Sequence, residues 1–339
     1  MKAKLRTTIA GCLAALATTA IQPAMAEEVT LKFSSFAPVN PIVTCGTIPF
    51  VDMLEANTGT KVTVERYFGG GAFGNPTQQY DQALRGITDI SYGILTYTEG
   101  LFPLAEIIGL PFVIDDNIEA TRVLNETILP EFLADSFKDV KVINLWLATP
   151  NQYHIRGTVN DLTNFNGMRV NTTGQVLVAA LEALGAQVSS TPAPGLYENL
   201  QRGTIDGTSG PWTMASAFKI GEVTDHHYEV NFGAAIGFTV MNLDKYNSLP
   251  DDVKAIIDSQ AGLPSALRIA GCFTKVDAFA KKTWGDKGNT IVKVPEETRA
   301  AMKAKVAPII AEKLKALDDK GLPPTALLAR IEEELAKAK

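Results

Sequence analysis

Residues 161–212 read DLTNFNGMRVNTTGQVLVAALEALGAQVSSTPAPGLYENLQRGTIDGTSGPW, and the alternation of elements in this stretch decides the fold class. Asn166-Gly167 is a turn dipeptide, and the apolar residues after it predict a short strand carrying Arg169. Residues 175–185 predict a helix with Val176, Ala179, Ala180, Leu181 and Leu184 on one face. A second helix is expected over 194–202. Gly203 stops it, and a strand then runs into Gly207. Strands alternating with helices imply an α/β architecture.

Arg169 stands out because it begins an apolar strand two residues after a glycine turn. A guanidinium is always charged, and its planar fork of donors matches a carboxylate in bidentate fashion. The alternative for such a residue is an exposed arginine paired with an acid such as Asp161.

Upstream, residues 1–26 have the form of a signal peptide. Lys2, Lys4 and Arg6 precede an apolar run over 9–21, and Ala24-Met25-Ala26 offers a cleavage site before Glu27. Ile9-Ala10-Gly11-Cys12 also resembles a lipoprotein box, but it lies too close to the basic residues and the apolar stretch continues past it. Export to the periplasm is therefore expected, and no later apolar run is long enough to span a bilayer. Of 31 basic and 37 acidic residues, three basic ones lie in this segment. The remaining balance is acidic, which argues against nucleic acid or an anionic membrane surface as partner. Cys45 and Cys272 survive cleavage, and in an oxidising compartment they are candidates for one disulfide, which their spacing alone does not establish.

Alternating strands are expected over 28–36 and 61–67 around a helix over 48–57, a right-handed β-α-β unit. The glycines at 69–71 and 74 follow the second strand but lack the spacing of a dinucleotide or phosphate loop. A helix over 77–85, a strand over 87–92, helices over 118–124 and 129–137, and a buried strand over 140–147 follow. Residues 149–153 are read as a first crossing between domains, and the strand over 235–242 as the return. Helices over 249–261, 264–284, 296–317 and 324–339 and a strand over 290–294 complete the chain.

The order DLtnfnGMRV, aLGAqv, lYenLQrGtiDG, with Leu110-Pro111-Phe112 upstream, resembles the extracytoplasmic solute receptors of TRAP (tripartite ATP-independent periplasmic) transporters, the DctP family. The resemblance implies a two-domain periplasmic-binding-protein fold with a ligand cleft between discontinuous domains. The division drawn is 27–148 with 236–275 for one domain and 149–235 with 276–339 for the other. In that family an arginine at the Gly-x-Arg position grips the ligand carboxylate, and Arg169 occupies that position. Carried over residue by residue, the resemblance implies a pocket containing Phe36, Gly93, Tyr97, Gly210, Trp212 and Phe232, with Gln152, His154 and Arg156 as further polar candidates. Core packing is the competing account of Phe36 and especially Phe232, and His154 alone at a strand edge also suits a structural hydrogen bond. His226-His227 is expected in an exposed loop.

Where sugar-acid receptors of the family carry polar contacts, this chain carries apolar or aromatic ones. The implied ligand is a monocarboxylate with an apolar or aromatic body, delivered to the small and large permease subunits. An ABC-type binding protein is the neighbouring alternative. A secreted hydrolase is the alternative of another class, but no Gly-x-Ser-x-Gly or His-Glu-x-x-His occurs. No cofactor and no metal are expected, since only three histidines are present and no Cys/His ligand spacing appears.

Overall fold

The computed structural model describes residues 28–98 and 100–337; the expected signal peptide lies outside them. The strands are β1 (Glu28–Ser35), β2 (Lys61–Phe68), β3 (Ile90–Ile94), β4 (Val140–Leu147), β5 (Gln152–Ile155), β6 (Arg169–Asn171), β7 (Gln187–Ser189), β8 (Gly207–Gly210), β9 (His226–Glu229), β10 (Ile236–Asn242) and β11 (Thr290–Lys293). The α-helices are α1 (Ile48–Ala56), α2 (Gln79–Leu84), α3 (Asn117–Val123), α4 (Gln175–Ala183), α5 (Leu196–Gln201), α6 (Trp212–Ala217), α7 (Leu243–Asn247), α8 (Asp251–Gln260), α9 (Leu263–Asp286), α10 (Glu296–Asp318) and α11 (Pro324–Lys337).

The strands form two sheets, ordered β2-β1-β3-β10-β4 and β11-β9-β5-β8-β6-β7. In the first, β1 pairs in parallel with β2 and β3, while β10 runs antiparallel to β3 and β4. In the second, β5 runs antiparallel to β8 and β9, whereas β6 is parallel to β7 and β8. Each sheet thus contains one antiparallel strand, and it is the strand that has just crossed from the other domain. The two crossings are bonded to each other: Ala148 N–H donates to Ala235 O at 3.0 Å, and Asn151 N–H to Gly233 O at 2.7 Å.

A helix of 24 residues forms the third connection, spanning roughly 36 Å at 1.5 Å per residue. In α9, Ile269, Cys272 and Phe273 pack into the core of the first sheet. Further along, Ala280 and Trp284 pack against Trp212 of the second domain. The boundary drawn at 275/276 therefore falls inside one continuous helix. The C-terminus also differs from that division, because Leu327 and Ile331 of α11 are buried with Leu145, Leu147 and Phe238 of the first domain. Their spacing of four residues gives α11 one apolar stripe, and the first domain supplies the surface that buries it. Cys45 and Cys272 are disulfide-bonded with Cα atoms 6.1 Å apart, tying the segment before α1 to α9.

Several local expectations shift. The third strand begins at Ile90 rather than 87, because Gly86 has a φ of +68° and ends α2 in a turn. Residues 226 and 227 lie in β9, not an exposed loop, and His227 is fully buried. In the glycine-rich loop, a Cβ on Gly74 would collide with the Gly69 carbonyl, so close backbone approach accounts for that glycine.

Candidate functional site

The parallel strands β1, β3, β6 and β8 all end at one cavity of about 90 Å³ between the sheets. Ligand sites in open α/β sheets lie beyond the carboxyl ends of strands, and this cavity has that position. The first domain contributes Phe36 and Asn40 after β1, with Tyr92, Ile94 and Tyr97 from β3 and the turn after it. The crossings contribute Ala148, Asn151 and Ala235. The second domain contributes Thr172 and Thr173 after β6, Ala193, Ser209 and Gly210 at the end of β8, and Thr213, Met214 and Phe218 from α6 and its end. Phe273 reaches in from α9.

The first-domain wall is an aromatic cluster. Phe36 stacks on Tyr92 with ring centres 6.1 Å apart and meets Tyr97 edge-on at 5.4 Å. Burial pushes both tyrosine pKa values up, Tyr97 to about 12, so both phenols remain neutral. The Tyr97 hydroxyl accepts the Ala193 N–H at 3.2 Å, a bond from one domain to the other. Two more bonds cross nearby: Thr96 Oγ1 to Thr173 Oγ1 at 3.1 Å, and Gln175 N–H to Glu106 Oε2 at 3.1 Å. These three contacts hold the two walls together on one side of the cavity.

Among the described lining residues none is Arg, Lys, His, Asp or Glu. Hydroxyls supply polar contacts instead. Thr172 Oγ1 and Ser209 Oγ are buried without a protein hydrogen-bond partner. An unpaired buried hydroxyl costs free energy, and a polar group of a ligand would relieve that cost.

Arg169 does not reach this cavity. It starts β6, roughly 10 Å along the strand from Thr172 at about 3.3 Å per residue, and its side chain is 44% exposed. Its guanidinium is held by Asp206, with Nε to Oδ2 at 3.1 Å and Nη2 to Oδ1 at 2.7 Å. Asp206 Oδ2 also accepts the Arg169 backbone N–H at 2.8 Å. The fork that suits a ligand carboxylate is occupied by a carboxylate of the chain itself, at the opposite end of the strand. Asn171 takes the inner position. It is buried, and its Oδ1 accepts the Thr191 N–H at 2.7 Å, fixing the loop that leads to Ala193.

Of the other residues singled out by sequence, Phe36, Tyr97 and Gly210 line the cavity, and the rest stand elsewhere. Gly93 faces inward, where a Cβ would run into the Phe238 ring. Gln152 braces the crossings: its Oε1 accepts the Val230 N–H at 2.7 Å and its Nε2 donates to Pro150 O at 2.9 Å. Arg156 donates to Leu200 O at 2.9 Å in a separate surface depression. Phe232 is fully buried against Tyr153 and Phe112. Trp212 packs against Ala280 and Trp284, with His154 and His227 on its other side.

His154 acts one layer behind the wall. Its Nε2 lies 3.0 Å from Gly210 O and its Nδ1 2.8 Å from His227 Nδ1. A carbonyl only accepts, so His154 carries its proton on Nε2, and His227 must then donate from Nδ1. His227 Nε2 accepts from Asn289 Nδ2 at 2.9 Å. Burial holds both imidazoles neutral, lowering His154 to about 3 and His227 to about 4. The chain of donors ends on the Gly210 carbonyl and fixes its direction in the cavity wall.

Behind Thr213 lies Asp277 of α9, which accepts the Thr213 N–H at 2.6 Å and a short hydrogen bond from Thr149 Oγ1. Burial raises its carboxyl to about 6.

The sequence alone did not single out Thr172, Ser209, Asn151, Phe273 or Tyr92. Ser209 had a usable signal, standing in the Thr-Ser-Gly-Pro run at the end of a strand. Phe273 had none, since only the path of α9 brings it to the site. Among the described residues no cluster of His, Cys, Asp and Glu could hold a metal, and no helix is long and apolar enough to cross a membrane.

The family model for bacterial extracellular solute-binding proteins, family 7 (DctP), matches residues 33–316. The C4-dicarboxylate-binding periplasmic protein DctP of Rhodobacter capsulatus is 24% identical over 294 residues, covering 85% of this chain and 87% of that protein. A marine metagenome TRAP solute binding protein specific for aromatic acid ligands, solved with metahydroxyphenylacetate, superposes with a TM-score of 0.85 at 30% identity. It covers 91% of this chain and 99% of that one. A TRAP solute binding protein of Rhodoferax ferrireducens T118, solved with copurified benzoate, gives a TM-score of 0.84 at 27% identity, with 91% and 98% coverage. These relatives are binding proteins rather than enzymes, and with the family match extending over most of its length the chain belongs to the DctP family of TRAP transporter solute-binding proteins.

Proposed function

We propose that this protein is the exported receptor of a TRAP transporter for a small monocarboxylic acid with an aromatic or branched apolar body, which it presents to the small and large permease subunits. The observation that carries this reading is the cavity at the strand ends, walled by Phe36, Tyr92, Tyr97, Phe218 and Phe273. An aromatic ring bound there would gain about 0.5–1.5 kcal/mol beyond area burial through ring contacts. The aromatic acids bound by two similar receptors support the same class. The carboxyl group is assigned to the Thr172 and Ser209 hydroxyls, because Arg169 is engaged elsewhere. The periplasmic location rests on the signal-peptide pattern and on the family.

A thermal-shift screen of the protein from residue 27 onward tests this reading, because a ligand that binds only the folded state raises the melting temperature. Stabilisation by benzoate, phenylacetate or branched monocarboxylates, and not by dicarboxylates or sugar acids, is the expected result. A shift with sugar acids alone would remove the aromatic reading.

A further inference from the structure

We propose that Met214 is the movable part of the cavity wall and sets which apolar bodies the receptor admits: its thioether swings away from Gly210, and the ring of the acid takes that place. This rests on the aromatic-acid reading above and assigns the residue that limits the size of the ligand body.

Space for a ring is short. The cavity measures about 90 Å³, whereas about 150 Å³ lined by apolar side chains suffices for benzene. The cavity is half open, so the acid end of a ligand can extend beyond it while the apolar body lies against the wall. Some wall residue therefore has to yield.

Most of the wall is fixed. Phe36, Tyr92, Trp146 and Phe273 form one continuous stack with successive ring centres 6.1, 5.5 and 4.8 Å apart. Moving one ring forfeits its contacts with the next. Ile42 and Ile94 are buried and branched at Cβ, which leaves them few rotamers. Phe218 is packed between two apolar clusters. The alanines and the short side chains of Thr172 and Ser209 clear no space by rotating.

Met214 differs on each count. It is the one methionine among the described lining residues, and its unbranched chain has three rotatable bonds. It is half-buried and packs against a single apolar cluster, the one around Leu196 and Ile220. Its sulfur and methyl lie over Gly210, where a Cβ would sit 2.6 Å from Sδ and closer still to Cε. Residue 210 has no side chain, so rotation of Met214 bares a flat peptide on which a ring can lie. The hydrogen bond from His154 to Gly210 O holds that peptide in place while the thioether moves. Sulfur near the edge of an aromatic ring makes a favourable contact, so the displaced thioether stays in touch with the ligand.

Calorimetric titration of the protein from residue 27 onward with benzoate and with naphthalene-2-carboxylate tests the proposal, because the two acids differ only in the bulk of the ring. In Met214→Ala the affinity for the naphthalene acid relative to benzoate is expected to rise by about tenfold or more, as the size of an apolar pocket discriminates by at least that much. Met214→Ile keeps the bulk but stiffens the side chain, and should lose about tenfold in benzoate affinity. Melting of both ligand-free variants shows whether they are folded. The wild-type protein labelled at its methionine methyl groups gives a readout that needs no stable variant at this position: addition of benzoate should move the Met214 methyl resonance through the ring current. An unchanged affinity ratio in folded Met214→Ala, or a Met214 methyl that stays in place while benzoate binds, would overturn the proposal and leave the aromatic-acid reading intact. Failure of benzoate, phenylacetate and the naphthalene acid alike to bind the wild-type protein would remove the aromatic reading and this proposal with it.

Discussion

His154 Nδ1 and His227 Nδ1 face each other at 2.8 Å in the buried middle of the second domain, and their only consistent tautomers point the final N–H at Gly210 O. Both imidazoles are neutral when folded, and both bind protons near pH 6.5 once unfolded. Below that pH the unfolded state binds more protons, so the stability they support is present above pH 6.5. It is lost as the pH falls towards about 4 for His227 and about 3 for His154. Asp277 works in the opposite sense, since its raised pKa of about 6 makes the folded state bind the extra proton between about pH 4 and 6. The two histidines outweigh the single acid. The melting temperature is expected to fall from pH 7 to pH 4, with His227 alone contributing about 3 kcal/mol. His227→Gln should flatten that profile in a melting series across the same range.

Arg169→Ala should leave ligand affinity within about twofold of wild type. The lost pair with Asp206 is substantially exposed at 44% and 30%, so its removal should cost no more than about 1 kcal/mol of stability. Calorimetric titration and thermal melting check both numbers. A hundredfold loss of affinity with the fold intact would place Arg169 in the binding site after all.

Tyr97→Phe keeps the ring that meets Phe36 edge-on and removes the oxygen that accepts from Ala193 across the cleft. A neutral hydrogen bond is worth about 0.5–1.5 kcal/mol net. Affinity should therefore drop by roughly three- to tenfold, through faster dissociation, which stopped-flow release would show.

Gly93→Ala should destabilise the fold rather than alter binding, because the added methyl enters space filled by Phe238 and Gln79. Overpacking of this kind costs about 1–3 kcal/mol. Denaturant unfolding should show the loss, with ligand affinity of the remaining folded protein unchanged.

Reduction, or Cys45→Ala with Cys272→Ala, opens a link that spans 227 residues of sequence. Removal of such a bond typically costs about 2–5 kcal/mol. The double variant should melt well below the oxidised protein and lose its sensitivity to reductant.

Much of the architecture was legible because it is local. The alternation of 28–36 and 61–67, the turn at Asn166-Gly167 and the stop at Gly203 each depend on neighbours a few residues away, and each lies within or beside an observed element. Strand order, the crossings near 148–152 and 232–236, and the placement of α11 depend on partners far off in the chain. The division at 275/276 followed the crossings of the strands and had no means of seeing that α9 runs on through both domains.

The binding site divides the same way. By itself the sequence determined an α/β chain whose pocket residues stand just after strands, and it drew out Phe36, Tyr97 and Gly210, since strand ends and their composition are local. Only the tertiary structure decided which charged groups border the cavity. Arg169 and Asp206 are 37 residues apart, and nothing in their spacing says that they neutralise each other. Parallel pairing of β6 with β8 brings Asp206, just before β8, beside Arg169 at the start of β6. The cavity lies at the other end of the same strands, with Thr172 and Ser209 in its wall. A motif can specify a guanidinium, but the register of two strands decides which carboxylate it meets.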